Sequence, residues 1–344
     1  MAESLPGRVL MGNAEDGLRA REEFERQPID HDYMSESFAV YPSKRRTIAT
    51  PMTIAGPGTF LGKAMRTVTL APFDGDGWWF ARADLPDCLP TRVSIRNVWT
   101  TGDVVSNIVL RSGSPHNYVR MVEHIVALKL GLGIDSLMVS LDSGDPPLFS
   151  RGSMDLVETL EKARIVETDQ PASYWTVREP VTCIAPHGGF LTLEPCTGPE
   201  PVLRIDCAVN YPNAMGRQRI RFPLCYDLFR HGAQARTNTT AAAKWYCMTI
   251  GKLFADVRNL GYNHENVLVA GKKAYLNEPR LVENGKSLEA VWHRSVLDLL
   301  AALALVEEGR FVGNVTSYKV GHALDVQAVT LLYIHDLLVP FNPS

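Results

Sequence analysis

The chain has 344 residues, of which 45% are hydrophobic and 21% are charged. These values are typical of a globular protein and exclude a disordered or fibrous chain. At roughly 100–200 residues per domain, the length predicts about two domains. The net charge is -3, and the lysines and arginines are spread along the chain without a basic run, so we expect no nucleic-acid partner.

The sequence also predicts the compartment and the state of the thiols. No segment approaches the roughly 18 apolar residues of a membrane span, and the N-terminal residues lack the apolar core of a signal peptide. We therefore expect a cytoplasmic protein with no integral membrane segment. The six cysteines lie far apart without a C-x-x-C pair, which favours reduced, packed thiols over a disulfide framework or a cysteine metal site.

The first half of the chain reads as an arm followed by a domain. Residues 1–43 are polar and acidic and look like an appended N-terminal arm, with one short helix predicted at Asp16–Arg26. From residue 45 to 70, two alternating stretches flank GPGTFLG and predict strands joined by a turn. Val119–Leu130 and SMDLVETLEKARIV predict amphipathic helices around the strand LMVSLD. We assign residues 44–168 to a first domain, which ends at a polar linker (ETDQPASYW).

The second half repeats this order of elements. Four predicted strands (VTCIAP, GFLTLEP, VLRIDCAVNY and RQRIRFP) precede a helix near Ala241–Leu260 and a strand at Asn266–Ala270. A long apolar helix (LEAVWHRSVLDLLAALALV), a last strand (NVTSYKV) and a helical segment (HALDVQAVTLLYIHDLL) complete the second domain, residues 175–338. Sheets packed against helices in both halves predict an α+β fold.

Polar residues are concentrated at three places within these apolar elements. They are Glu123-His124, the segment from His293 to Asp298, and the segment from Lys319 to His322. A catalytic zinc needs three N or O ligands and one open position, with a carboxylate beside it to accept a proton. These residues could supply such a set. A Glu-His pair on a helix is also typical of a solvated or capping pair, and a histidine after a glycine can simply cap its helix.

Taken together and in order, the segments resemble one known family. The match covers roughly residues 44–335 and comprises KRRTIATPMTIAGPGTFLGKAMRTVTLAP, VEHIVALKLGLGID, PPLFSRGS, AVNYPNAMGRQR, ARTN, YLNE, VWHRSVLD and TSYKVGHAL. In this order and at this spacing they resemble the UDP-3-O-acyl-N-acetylglucosamine deacetylases, the zinc-dependent enzymes of lipid A biosynthesis.

The resemblance implies a fold, a reaction and a set of site residues. It implies two similar domains, each with a sheet packed against helices, and an active site between them. It implies a Zn²⁺-dependent deacetylase acting on an acylated N-acetylglucosamine nucleotide or a related N-acyl substrate; Fe²⁺ and cobalt also suit such a ligand shell. The implied roles are general base for Glu123, general acid or electrostatic partner for His322, an oxyanion-side hydroxyl for Thr237, and zinc ligands for His124 and Asp298.

The long helix departs from the family pattern, His-Lys-x-x-Asp, which sets two ligands four residues and about 40° apart on an α-helix. In this chain His293 and Asp298 are five residues and about 140° apart. Without a gap, Arg294 and Ser295 replace the ligand and the lysine, which leaves a broken metal site. With Ser295 as one inserted residue, a π-bulge returns His293 to the ligand position, and we favour this alignment. Arg294 and Lys319 are then the candidate substrate-binding cations.

Further departures leave other hypotheses open. Ala302 stands where the family keeps an acid to orient the catalytic histidine, and Arg151-Gly152-Ser153 stands where it has Asp-Gly-Ser. A catalytically impaired paralogue that binds a sugar nucleotide or a protein partner is therefore the alternative to an active enzyme. In a third hypothesis, the N-terminal arm docks an unidentified protein and the fold serves as a scaffold.

Overall fold

The computed structural model of the chain describes residues 5–35, 41–59, 64–101, 107–240, 263 and 265–342. Sheets and helices alternate along it, and the α+β class expected from the sequence is confirmed. The helices are α1 (Ala14–Arg26), α2 (Glu123–Gly131), α3 (Met154–Ala163), α4 (Tyr226–Gly232), α5 (Glu289–His293), a π-helix (Arg294–Leu299), α6 (Leu300–Leu303) and α7 (His322–Ile334), with one 3-10 turn at Ile95–Asn97. The helix predicted near Ala241–Leu260 lies outside the described residues.

The first half is built on a five-stranded sheet in the order β4-β5-β11-β6-β7. Its alternating segments place valine, leucine and aromatic side chains on one buried face, as the sequence predicts. The strands of this half are β3 (Lys44–Ile48), β4 (Met52–Pro57), β5 (Met65–Ala71), β6 (Gly77–Arg82), β7 (Thr91–Arg92), β8 (Val98–Thr100), β9 (Val109–Arg111), β10 (Tyr118–Arg120), β11 (Ser136–Leu141) and β12 (Ile165–Pro171).

The second half is built on a seven-stranded mixed sheet in the order β1-β14-β15-β23-β16-β17-β2. Its central strands are buried on both faces, which fits their almost continuous apolar sequences. The strands of the arm and of this half are β1 (Arg8–Met11), β2 (His31–Asp32), β13 (Tyr174–Val177), β14 (Val181–Ile184), β15 (Phe190–Glu194), β16 (Leu203–Asn210), β17 (Arg217–Pro223), β18 (Thr237–Thr240), β19 (Val267–Ala270), β20 (Val282–Glu283), β21 (Lys286–Ser287), β22 (Arg310–Phe311), β23 (Gly313–Tyr318) and β24 (Leu338–Pro340).

The N-terminal arm is part of the larger sheet. Strands β1 and β2 form its two outer edges, pairing in parallel with β14 and β17. Helix α1, capped by the side chain of Asn13, lies between them and buries Phe24 against Phe190 and Tyr318. The guanidinium of Arg219 lies 3.8 Å from the Phe24 ring centre. The helix predicted at Asp16–Arg26 is thus confirmed, and the arm covers a face and both edges of the sheet that carries it.

Two sequence predictions differ from the structure because of long-range pairing. The segment predicted as a linker is divided between the end of β12, which pairs antiparallel with β3, and the start of β13. The first predicted helix begins at Glu123 instead of Val119, because Val119 belongs to β10 and pairs with β9. Between them, Met121 has a φ of 56°, a left-handed conformation that cannot continue into a helix.

The two halves meet where α2 packs against the π-helix and α6. Apolar side chains from both halves form one continuous core around this contact. Lys129 of α2 fixes it by donating from Nζ to the carbonyls of Ala304 and Val306, at 2.7 and 3.0 Å, which satisfies backbone groups at the end of α6. Among the described helices, none is long and apolar enough to cross a membrane.

Candidate active site

The site begins with the break in the long helix. Residues Arg294–Leu299 form a π-helix between two α-helical segments, as the alignment with one inserted residue predicts. Five residues fill this wide turn instead of four, so His293 and Asp298 lie on one side of the helix. His293 Nδ1 is 3.4 Å from Asp298 Oδ1. The inserted Ser295 is buried and donates its hydroxyl to the carbonyl of Trp292 at 3.1 Å.

His124, from the first half of the chain, meets His293, from the second. Their Nε2 atoms are 3.3 Å apart. The other ring nitrogen of His124 lies 3.1 Å from the Ser153 hydroxyl, and Nε2 also lies 3.3 Å from Thr237 Oγ1. Burial, followed by the neighbouring His293, lowers the pKa of His124 to about 3. The ring is therefore neutral, the form that binds a metal ion.

His322 and Asp298 form a buried pair at the start of α7. Their Nε2 and Oδ1 atoms are 3.2 Å apart. Burial alone would lower the pKa of His322, but the carboxylates of Asp298, Glu123 and Asp325 raise it to about 9. Burial likewise opposes the charge of Asp298, yet His293 and His322 hold its pKa well below the ordinary value. At neutral pH this pair is an imidazolium beside a carboxylate.

Glu123 is the first residue of α2 and is 4% exposed. Its Oε2 accepts a hydrogen bond from the backbone N–H of Ile108 at 3.2 Å. Burial raises the pKa of this carboxyl above its usual value, and the positive charge of His322 opposes that rise. A carboxylate with a raised pKa in a cleft is the usual form of a general base that works near neutral pH.

All but one of the predicted site residues line a single cavity of about 340 Å³. Those that line it are Glu123, His124, Thr237, His293, Arg294, Asp298 and His322. The exception is Lys319, whose ammonium lies 3.2 Å from Glu23 of the arm and 5.3 Å from the Tyr318 ring centre. Lys319 has a left-handed backbone conformation, with a φ of 53°. Its side chain lies beside α1, where it pairs with Glu23. Substrate binding by Lys319 stays a prediction.

The side chains at the centre of this cavity are of the types that bind zinc. Two of them also have the separation that two zinc ligands have. Two nitrogens bound to a tetrahedral zinc at about 2.0–2.1 Å lie roughly 3.3–3.4 Å apart, the separation seen between His124 and His293. Asp298 Oδ1 lies 3.4 Å from His293 Nδ1 and 3.2 Å from His322 Nε2. The carboxylate of Asp298 faces His322, and no three His, Cys, Asp or Glu groups in the described ranges together form a cation site.

Two contributors to the site were not predicted from the sequence. Asp325, fully buried on α7, pairs with Arg294 at 2.6 Å, and a lone acid in HALDVQ gives no signal of this role. Ser153 contacts His124, while its neighbour Arg151 pairs with Asp155 and Glu158 on the surface. The RGS motif was recognised only as a departure from Asp-Gly-Ser, and the serine that it retains is the residue that reaches the site.

Comparison with known proteins identifies the family. The model of the UDP-3-O-acyl N-acetylglycosamine deacetylase family matches residues 45–333. The chain belongs to this family. Among similar proteins, the UDP-3-O-acyl-N-acetylglucosamine deacetylase of Trichormus variabilis is 28% identical over 296 residues, covering 83% of this chain and 96% of that protein. The proteins of that name from Cellvibrio japonicus and Brucella ovis are 25% and 26% identical, each over 84% of this chain and 90% and 94% of their own lengths.

Proposed function

We propose that the chain is a zinc-dependent amide hydrolase that removes the acetyl group from a UDP-3-O-acyl-N-acetylglucosamine, a step of lipid A synthesis. Family membership and the names of its relatives support this substrate. The observation that carries the proposal is the 3.3 Å separation of the His124 and His293 Nε2 atoms inside a cavity that also holds Glu123 and His322. The expected cytoplasmic location belongs to the same proposal.

His124, His293 and Asp298 would hold the zinc ion. When bound, zinc lowers the pKa of a coordinated water toward neutrality and polarises an amide carbonyl. The neutral ring of His124 needs no deprotonation before it binds a metal ion. Ser153 contacts the far nitrogen of that ring at 3.1 Å and fixes its orientation.

Glu123 would accept a proton from the attacking water. Burial raises the pKa of its carboxyl, which brings the basicity of the group closer to neutral pH, where proton transfer in both directions is efficient. The N–H of Ile108 donates to Oε2 and helps to hold the carboxylate in place. Glu123 lies in the first turn of α2, where the helix N-terminus stabilises the ionised carboxylate.

His322 and Thr237 would act on the amide itself. With a pKa raised to about 9, His322 carries a proton at neutral pH that it can donate to the leaving amine nitrogen. The hydroxyl of Thr237, 3.3 Å from His124 Nε2, can donate to the oxygen on which negative charge develops. In this arrangement the proton acceptor and the proton donor are different residues.

Arg294 would bind an anionic or oxygen-rich part of the substrate. It lines the cavity, is 3% exposed, and has two nitrogens, Nε and Nη1, without a hydrogen-bond partner among the described residues. A planar guanidinium suits phosphate and carboxylate oxygens. The third nitrogen, Nη2, is already fixed by Asp325 and Ser317.

The test is release of acetate and a free amine from UDP-3-O-acyl-N-acetylglucosamine, followed by mass spectrometry. We expect turnover that a chelator abolishes and zinc restores, with a loss of about 100- to 10,000-fold in Glu123→Gln, the usual contribution of a general base. Glu22→Gln, on α1 and not among the residues that line the cavity, is the matched control and should retain full activity. A folded, zinc-loaded protein without turnover would support the impaired paralogue instead.

A further inference from the structure

A buried ion pair lies directly behind Thr237. Arg236, which precedes Thr237 in the chain, pairs with Glu289, the first residue of α5. The two side chains are 4% and 0% exposed. Neither of them is among the residues that line the cavity. The pair therefore lies outside the chemistry proposed above but next to one of the residues that carry it.

The carboxylate of Glu289 holds both the side chain and the backbone of Arg236. Oε1 accepts from Arg236 Nε at 2.7 Å and from the Arg236 backbone N–H at 3.0 Å. Oε2 accepts from Arg236 Nη2 at 3.0 Å and from the backbone N–H of Arg280 at 2.7 Å. An ionised carboxylate offers about four acceptor positions, which match these four donors. Because the guanidinium binds both oxygens, the pair fixes direction as well as distance.

These contacts determine where Thr237 lies relative to the two histidines. A backbone held at Arg236 fixes the start of β18, whose first residue is Thr237. The Thr237 hydroxyl lies 3.3 Å from His124 Nε2. Glu289 lies four residues before His293 on α5, about 40° apart on the same side of the helix, and His293 Nε2 is 3.3 Å from His124 Nε2. One buried carboxylate therefore connects the hydroxyl to the helix that carries His293.

We propose that Glu289 is a positioning residue, which acts through Arg236 to hold the Thr237 hydroxyl at the place where it meets the reacting amide. The proposal rests on the proposed amide hydrolysis for its kinetic consequences. A misplacement of about 1 Å can cost about 100-fold in rate. An ion pair that only stabilised the fold would lower the melting temperature without a selective effect on kcat.

The kinetic test is Glu289→Gln, in which an amide nitrogen that can only donate replaces one acceptor oxygen. We expect kcat to fall about 10- to 100-fold. KM should change by less than about threefold, because a contact made only in the transition state affects kcat and not KM. Arg236→Lys keeps the charge but cannot bind two oxygens in one plane, so its kcat should fall less, in the same direction. If Glu289→Gln does not fold, Arg236→Lys takes its place.

A double variant tests whether Glu289 acts through Thr237. Thr237→Val removes the hydroxyl and should lower kcat about 100- to 1,000-fold, as loss of one donor to an oxyanion does. Adding Glu289→Gln should slow that variant by less than about threefold, because a hydroxyl that has been removed cannot also be misplaced. If the two losses are fully additive, Glu289 does not act through Thr237 and the proposal is overturned.

Asp135→Asn is the matched control for structural damage. Asp135 binds Arg310 through both oxygens, the side chains are 12% and 7% exposed, and neither residue is among those that line the cavity. We expect the melting temperature to fall to a similar extent as in Glu289→Gln, while kcat stays within about threefold of the wild type. An equal fall in kcat in the two variants would show that Glu289 is only structural.

A measurement on the metal-free protein keeps this proposal separate from the proposed function. The side-chain nitrogen signals of His124 are assigned by their loss in His124→Gln. Because the Thr237 hydroxyl contacts this ring, we expect the signals to shift in Thr237→Val and in Glu289→Gln, but not in Asp135→Asn. A wild type without turnover defeats the proposed function but leaves this comparison intact. His124 signals that Glu289→Gln leaves unchanged would overturn the positioning role.

Discussion

His124 and His293 are 169 positions apart in the chain, and their Nε2 atoms lie 3.3 Å from each other. This contact joins α2 of the first half to the last residue of α5 in the second, immediately before the π-helix. The inserted residue keeps Asp298 on the same side as His293, because a regular helix would turn the two side chains about 140° apart. The relative placement of the proposed metal ligands in the second half therefore depends on the π-helix.

Deleting Ser295 should preserve the site. The deletion sets His293 and Asp298 four residues apart, so a regular α-helix places them on one face and the wide turn is no longer needed. We expect the variant to bind as much zinc as the wild type, measured by elemental analysis. Inserting an alanine after Ser295 is the matched control and should abolish binding. Loss of metal in the deletion variant, with metal retained by the wild type, contradicts the inserted-residue alignment.

Arg310→Met should destabilise the contact between the two halves. Arg310 is 5% exposed and binds both oxygens of Asp135, at 2.8 and 2.5 Å, as well as the carbonyl of Gly133. Removing one partner of a buried ion pair costs about 3–5 kcal/mol. Urea unfolding should show this loss, and the double variant with Asp135→Asn should recover part of it. If the free energy of unfolding of Arg310→Met lies within about 1 kcal/mol of the wild-type value, the ion pair is dispensable for stability.

Stability of the metal-free protein should depend on pH through His322. Its pKa is about 9 in the folded chain against an ordinary value of 6.5, so the folded state binds the proton more tightly. The resulting stabilisation is complete below pH 6.5 and is lost as the pH rises through 9, by at most about 3 kcal/mol. Denaturant unfolding of wild type and His322→Gln at pH 6 and pH 10 measures the difference. Equal pH dependence in both proteins would refute the assigned shift.

Phe24→Ala should show that the arm is structural. Phe24 is 1% exposed and packs against two rings of the large sheet. Truncating a buried phenylalanine costs about 3–5 kcal/mol, which urea unfolding should detect. Arg19→Ala, on the exposed side of the same helix, should change stability by less than about 0.5 kcal/mol. A Phe24→Ala variant as stable as the wild type would return the arm to the docking hypothesis.

Local patterns in the sequence predicted most of the fold. The amphipathic repeat of SMDLVETLEKARIV corresponds to α3, and the alternating segments correspond to strands of the two sheets. The one-residue excess between His293 and Asp298 predicted the π-helix, because ligand spacing and helical periodicity are both local quantities. The grouping of most predicted site residues in one cavity followed from motif order, and their chemical roles remain predictions.

Long-range pairing and buried electrostatics could not be predicted in this way. The sequence ETDQP becomes a strand only because β3 is available to pair with it. The arm joins both edges of a sheet whose partner strands lie more than 150 residues further along the chain. Lys319 pairs with Glu23, and Asp325 pairs with Arg294, because tertiary packing places acids beside them that have no local signature.

The most direct measurement of the central claim is zinc content per chain, on protein purified without chelators, in wild type and His293→Ala. The account predicts about one equivalent of zinc in the wild type and a large loss in the variant, because one of the three proposed ligands is removed. Glu22→Gln serves as the control and should hold the wild-type amount. A wild-type protein that stays metal-free after zinc is offered, or a His293→Ala variant that binds zinc as tightly as the wild type, would contradict the account.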